Sequence, residues 1–353
     1  MDSFIYTSLP ARVVFGVGTT ASLPQEVHAL GITKALVLAT PQQVSEAQAL
    51  ADLLGDAAAG IFAEAEMHTP VDVTERALAA FAALGADGIV SIGGGSTVGL
   101  GKAIALRTDA PQVVLPTSYA GSEMTPLLGQ TEGGKKTTLR SLKVLPETVI
   151  YDVNYTLTLP PRMTVTSGMN AIAHAVETLY AQEANPVLSL MAEDGIAKMT
   201  RALDRVLVAP SDIAARSDAL YGAWLCAVCL GAGGVALHHK LCHVLGGSFN
   251  LPHAETHTII LPHALAYNAP EIPQAMAAMR RATGAEKPAK ALFRIAQSAG
   301  VPTALKDLGM PQDGIARAVE ITLENPYFNP RAFERDALLQ LLENAWHGNE
   351  PDA

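Results

Sequence analysis

The sequence predicts an α/β amino-terminal domain built on a parallel sheet, followed by an all-α carboxyl-terminal domain. Three observations predict it. The chain has 353 residues, and at about 100–200 residues per domain two domains are expected. Up to Asp152, short β-rich runs alternate with helical stretches, the pattern of parallel strands joined by crossover helices. From Pro160 onward, Ala/Leu/Met-rich stretches follow one another and β-branched runs become rare. The boundary falls at Leu159-Pro160-Pro161, giving a dinucleotide-binding domain over 1–159 and a helical substrate domain over 160–353.

Taken in order, the expected strands are Arg12–Phe15, Lys34–Ala39, Gly88–Ile92, Gln112–Pro116 and Thr148–Asp152, a Rossmann-like set. Val71–Leu84 is apolar at helical spacing and reads as a crossover helix. The second half breaks at Asn185-Pro186, Ala209-Pro210 and Asn325-Pro326. The polar tail, Gly348–Ala353, is expected to fray. Two domains of different class create the expectation of a ligand cleft near the carboxyl ends of the parallel strands.

Composition narrows the function. Hydrophobic residues at 49% and charged residues at 16% exclude a disordered chain. No apolar run is read as reaching the roughly 20 residues of a bilayer span, and Met1–Pro10 lacks a basic-then-apolar signal pattern. A cytoplasmic protein with no membrane partner is expected. The 24 basic and 34 acidic residues leave a net charge of −10, and no basic run exceeds two residues. That argues against a nucleic-acid partner and requires a local positive patch for any anionic substrate. Three cysteines, Cys226, Cys229 and Cys242, give no disulfide framework. The C-x-x-C of Cys226 and Cys229 lies in the apolar stretch YGAWLCAVCLGAGG. Redox pairs belong at a strand-to-helix turn, so these read as buried structural thiols.

Ser91-Ile92-Gly93-Gly94-Gly95-Ser96-Thr97 is the strongest phosphate-binding candidate. It follows one strand and precedes the helical stretch Val98–Leu106. Its glycines admit a ligand close to the backbone, Ser96 and Thr97 can cap the helix, and first-turn amides face an anion. Ser96 to Lys102 resembles a Walker loop, but Ser96 stands where the first glycine belongs. Gly16-Val17-Gly18-Thr19-Thr20-Ala21 matches G-x-G-x-x-A, yet no acidic residue follows about 20 positions on to hold a ribose. Thr117-Ser118-Tyr119-Ala120-Gly121-Ser122-Glu123 gathers hydroxyls at a strand end, suited to ribose or nicotinamide.

Six of the ten histidines, His238, His239, His243, His253, His257 and His263, fall within 26 residues. His239 and His243 share a helix face, as do Asn170 and His174. Imidazoles serve as metal ligands, proton donors or a switchable cationic patch, and spacing alone leaves the three roles open.

The motif order resembles the iron-containing (group III) alcohol dehydrogenase family over nearly the whole chain: FGVG, GGGS, the PTS…GSE loop, GMNAIAHAVE, and HHKLCHVLGGSFNLPHAETH. Within it the chain is most similar to the maleylacetate reductase branch. Asn170 stands where the family has a metal-binding Asp, Thr117–Glu123 is one residue shorter than the usual TTAGTGSE, and Lys135-Lys136-Thr137-Thr138 follows.

The resemblance implies a dehydroquinate synthase-like two-domain fold, a homodimer, and a small dicarboxylate substrate. It implies NADH- or NADPH-dependent reduction of the conjugated C=C of maleylacetate to 3-oxoadipate in aromatic-compound breakdown. By position, Gly93, Gly94, Gly95 and Ser96 would hold the pyrophosphate, and Thr117, Ser118 and Ser122 would face the nicotinamide. Asn170, His174, His239 and His253 occupy the metal-ligand positions, and His243 lies where the family places a histidine beside nicotinamide and substrate. Because a neutral amide is a poor ligand for Fe²⁺ or Zn²⁺, no essential metal is expected. His243 is then the proton source, with His174, His239 and His253 gripping the substrate and His238 and His257 as weaker candidates. Thr40 stands where NAD-selective relatives carry an Asp, so both cofactors are expected. Asn325–Arg331 resembles a family signature, with Tyr327 and Arg331 read as structural. The alternatives are a metal-dependent alcohol or polyol dehydrogenase of the same fold, a dehydroquinate-synthase-like lyase, and a non-catalytic dinucleotide binder.

Overall fold

The computed structural model describes residues 4–9, 11–133 and 135–353. The chain divides into two compact units: Ser8–Leu159, and Pro160–Ala353 together with residues 4–7.

The first unit holds a six-stranded sheet. Its strands are β1 (Arg12–Gly16), β2 (Ala35–Leu38), β3 (Ala58–Phe62), β4 (Gly88–Gly93), β5 (Gln112–Pro116) and β8 (Thr148–Asp152). They lie in the order β1-β8-β5-β4-β2-β3, every neighbour parallel. A separate antiparallel hairpin joins β6 (Leu127–Glu132) and β7 (Lys135–Arg140). The helices are α1 (Leu23–Ala29), α2 (Val44–Leu54), α3 (Val71–Ala83) and α4 (Gly95–Thr108).

Strand periodicity decides which face each side chain serves. Ala35, Val37 and Ala39 of the β2 segment pack with Leu23, Val27 and Leu50 from α1 and α2. Leu36 and Leu38 pack on the other side with Val73, Phe81, Leu100 and Ile104 from α3 and α4. Both faces are therefore covered, and β4, β5 and β8 are buried along their whole length, as parallel strands are.

The second unit is helical: α5 (Pro161–Thr178), α6 (Pro186–Val208), α7 (Ile213–Ala232), α8 (Leu237–Phe249), α9 (His253–Asn268), α10 (Pro273–Thr283), α11 (Pro288–Ser298), α12 (Gly314–Glu324) and α13 (Arg335–His347). Proline opens α5, α6, α10 and α11, where its missing N–H costs nothing. Asn185 caps α6 through Leu188 N, and Asp212 caps α7 through Ala214 N and Ala215 N.

Two expectations need correction. The first concerns α7, which by length and composition alone could cross a membrane, contrary to the sequence reading. It packs against α5 and α6, and over half of its apolar window is buried. It carries Cys226 and Cys229, both buried and free. Burial raises both thiols, Cys229 to about 12, so neither has thiolate character. The second concerns the tail, which does not fray. Glu350 pairs with Arg294 at 2.7 Å and Lys290 at 2.9 Å, Asp352 pairs with Lys287, and the Ala353 carbonyl accepts from Lys290 N near the start of α11.

Candidate active site

In the sheet unit, chemistry gathers at the carboxyl ends of β2, β4 and β5. The chain leaves β4 at Gly93 with φ +151, and a Cβ there would lie 2.4 Å from Thr97 Oγ1 and 2.9 Å from Gln43 Oε1. A Cβ on Gly94 would lie 2.9 Å from Ser118 Oγ. These glycines leave a cradle that side chains would fill. The helix cap differs from expectation: Gly94 is the N-cap of α4 and no side chain caps it. First-turn amides have no intrahelical partner, so they remain available to a diphosphate. The residues present thus fit a dinucleotide.

Gln43, which no motif in the sequence singles out, knits this region together. Thr40 Oγ1 donates to its Oε1 at 3.3 Å, and its Nε2 donates to Thr117 Oγ1 at 3.1 Å. Thr40, Gly93 and Thr117 therefore surround one amide, and Ser118 packs beside Gly94. Ser122 enters through its main-chain carbonyl, which accepts from Lys102 Nζ and from the Thr125 hydroxyl.

The loop after β1 is organised otherwise. Asp152 accepts from Gly18 N at 2.9 Å, Thr20 N at 2.9 Å and Thr20 Oγ1 at 2.6 Å. The amides of this G-x-G-x-x-A turn already hold an internal carboxylate, and its second half lies in a 3-10 turn, Thr19–Ser22.

The helical unit carries His174 on α5, His238, His239 and His243 on α8, and His253, His257 and His263 on α9, with His347 apart on α13. Glu177, fully buried on α5, accepts from Ala236 N at 2.7 Å, His238 N at 2.6 Å and His239 Nδ1 at 2.6 Å. One carboxylate thus satisfies amides at the start of α8 and fixes the His239 ring. His174 stacks on His239 with centroids 5.2 Å apart. Buried without partners are Asn170 Oδ1, His174 Nδ1 and His239 Nε2. Such atoms are costly to leave unmet and mark where a polar ligand belongs. Burial, then His239 and His253, push the His174 pKa well below its usual value, so the ring is neutral.

His253 and His257 lie 4.2 Å apart by ring centroid. Behind them His238 Nε2 and His257 Nδ1 are hydrogen-bonded at 2.9 Å, with Cys242 Sγ 3.7 Å from His238. Among the described residues, the group of three metal-capable side chains with ligand atoms within 4.8 Å of one another is His238, Cys242 and His257. Its imidazoles bond to each other through one nitrogen each, leaving His238 Nδ1 and His257 Nε2 buried without a partner, and burial depresses both. The histidines that the resemblance puts at metal-ligand positions, His174, His239 and His253, are not that group. His263 stands apart on α9 beside Phe293, lowered by burial to about 4.

His243 is exposed, and its Nδ1 lies 3.1 Å from the Tyr327 hydroxyl. Lys240 Nζ lies 5.4 Å from the Tyr327 ring centroid. Tyr327 therefore joins the histidine site, whereas Arg331 stacks on Tyr267 and donates to its carbonyl, a structural role. The sequence missed Glu177, Tyr327 and Lys240 as site residues. Glu177 was visible only as the last letter of GMNAIAHAVE, one turn beyond His174.

Comparisons with known proteins agree over the whole chain. A profile for "Iron-containing alcohol dehydrogenase" matches residues 10–153, and one for "Fe-containing alcohol dehydrogenase family, C-terminal" matches 164–346. Maleylacetate reductase of Burkholderia cepacia is 53% identical over 351 residues, covering 99% of this chain and 100% of the relative. Crystal structures of maleylacetate reductases from Agrobacterium tumefaciens and Rhizobium sp. strain MTP-10005 are similar at 53% and 52% identity. Both have a TM-score of 0.96 and cover 99% of this chain and 100% of theirs.

Proposed function

Because the chain belongs to the iron-containing alcohol dehydrogenase family, we propose that this oxidoreductase reduces the conjugated C=C of maleylacetate to 3-oxoadipate with NADH or NADPH and no essential metal. The substrate assignment is carried by full-length identity of about one half to maleylacetate reductases. The metal assignment is carried by Asn170, whose neutral amide replaces a carboxylate, so the donor set brings no charge to a divalent ion.

Bound reduced nicotinamide supplies a hydride. Placed on the alkene carbon β to the ketone, that hydride would leave negative charge at the keto oxygen for this chain's residues to meet and an α-carbon for them to protonate. Gly93, Gly94, Gly95 and Ser96 receive the diphosphate through main-chain amides. Thr117, Ser118 and Ser122 meet the nicotinamide end, and Thr40 with Gln43 meets the ribose end, with no acid to repel a 2′-phosphate. His243 supplies the proton. When the Tyr327 hydroxyl donates to Nδ1, the neutral ring carries its proton on Nε2, the atom left to act. His174, His239 and His253 hold a carboxylate or the keto oxygen, the charge that develops there being met by N–H donors in a desolvated site; His239, whose Nδ1 proton goes to Glu177, donates from Nε2 only as an imidazolium. Lys240 adds the local positive charge that a dianion needs against a net charge of −10.

One observation favours a second reading, a metal-dependent alcohol dehydrogenase. His239 keeps its Nδ1 on a carboxylate and leaves Nε2 bare, as metal-ligating imidazoles do. Protein purified without chelators decides between them. The proposed reading expects substoichiometric iron and zinc, full NADH oxidation with maleylacetate after chelation, and little with simple aldehydes. Stoichiometric metal whose removal abolishes turnover overturns it. A preference above about 100-fold for either cofactor contradicts the dual-cofactor assignment, since one selective ribose contact is worth about that much.

A further inference from the structure

Lys102 lies seven residues into α4, the helix that begins at the glycine cradle, and it is fully buried. Its Nζ donates to four oxygens: the carbonyls of Ser122, Thr125 at 2.7 Å and Leu127 at 2.9 Å, and Thr125 Oγ1 at 3.0 Å. All four belong to the segment that runs from β5 into β6. The Thr125 hydroxyl donates in turn to the Ser122 carbonyl at 3.1 Å. Between these anchors, buried Glu123 accepts from Tyr151 of β8 at 2.8 Å.

We propose that Lys102 is a positioning residue for the dinucleotide, locking the Thr117–Leu127 segment to the cradle helix from inside the sheet unit. The proposal rests on the cofactor reading above. Its basis is connectivity. The same helix offers first-turn amides to the diphosphate and, two turns on, an amine to the backbone of the hydroxyl loop. Cradle and loop are thereby held as one body before a ligand arrives, and such preorganisation lowers the cost of binding. As an ammonium, Nζ carries three N–H groups to share among the four oxygens, whereas a neutral amine would carry two and a lone pair, so the lock is tightest in the protonated form. The Walker-like spacing Ser96–Lys102 thus ends in a lysine that faces main-chain oxygens and not phosphate.

Fluorescence titration with NADH tests this on Lys102→Met and Thr125→Val. Methionine keeps the length and removes every donor, and valine removes one of the four acceptors together with the hydroxyl's donation to the Ser122 carbonyl. The expected result for Lys102→Met is a Kd for NADH raised about tenfold, or 1.4 kcal/mol, and a matching rise in KM for NADH. The kcat at saturating NADH should stay within about threefold of the parent. Amide exchange should quicken over residues 117–127 and not across the helical unit. Thr125→Val should raise Kd about threefold, an effect on the scale of a hydrogen bond.

A folded Lys102→Met with parental Kd, or one that loses kcat at unchanged KM, overturns the proposal. If Lys102→Met does not fold, an unchanged Kd in Thr125→Val does the same. Gly94→Val is run in parallel. If it binds NADH normally, the cofactor reading itself has failed. If it loses NADH while the other two variants keep it, only the positioning role has failed.

Discussion

The glycine cradle and the histidine site solve the problem of receiving a charged ligand in opposite ways. The cradle is built from main chain: Gly93 and Gly94 leave room by lacking a Cβ, and in the proposed reading the uncapped amides of α4 would receive the diphosphate. The histidine site is built from side chains on three helices, and each ring is useful only because another residue holds it. A backbone site is fixed by local geometry and tolerates no added atom there. A side-chain site is fixed by partners far along the chain and degrades by degrees as partners are removed.

Substitutions can break or sharpen that contrast. Gly93→Val carries the largest expected effect. Its Cβ would lie 2.4 Å from Thr97 Oγ1 at a φ of +151, so NADH binding should fall by about 10³-fold or more, since both strain and blocked access act. Isothermal titration at fixed NADH measures it, and a bound cofactor at parental affinity would erase the distinction. Next, His243→Ala should lower turnover by about 10²-fold or more, the usual contribution of a general acid, with NADH affinity unchanged. A near-normal rate removes His243 from the mechanism.

Glu177→Gln should cost roughly 10- to 100-fold in turnover, the range seen when an outer-sphere partner of a functional imidazole is lost. An amide cannot accept all three hydrogen bonds that the carboxylate takes. Steady-state kinetics with the purified variant checks this, and activity equal to the parent would show that His239 needs no holder. The smallest effect concerns His263. Its folded pKa, about 4, lies below the ordinary 6.5, so the unfolded chain binds the extra proton first and stability is lost as pH falls from 6.5 towards 4. His263→Phe should flatten that decline, narrowing the drop in Tm across the window by roughly 5 °C. Identical pH profiles for variant and parent would place the acid sensitivity elsewhere.

What the sequence disclosed follows the same division. Strands β5 and β8 were legible to the residue, and β1, β2 and β4 within a residue or so, because buried Val, Ile and Leu runs have few other uses. Strand β3 was not, since Ala58-Ala59-Gly60 carries little β signal, and its identity comes from pairing with β2. Strands β6 and β7 escaped for a related reason: a polar hairpin is held by cross-strand pairs that no single run reveals. At the site, glycine spacing exposed the cradle, and histidine density exposed the second site. Neither Gln43 nor Glu177 could be chosen, because their value lies in contacts 74 and 62 residues away. Ser96 and Thr97 were read as caps by residue type, but Gly94 took that place because the chain turns there.

Asp152 has a practical consequence for anyone scanning genomes by glycine spacing. The turn after β1 satisfies a familiar pattern, yet it is an occupied socket, its amides already plugged by a carboxylate of the same chain. The turn after β4 matches that pattern less well, and no side chain caps the helix that follows it. A search that also asked which loop amides already hold a carboxylate of the same chain would separate the two turns, and it would favour the one after β4, as the proposed cofactor reading requires.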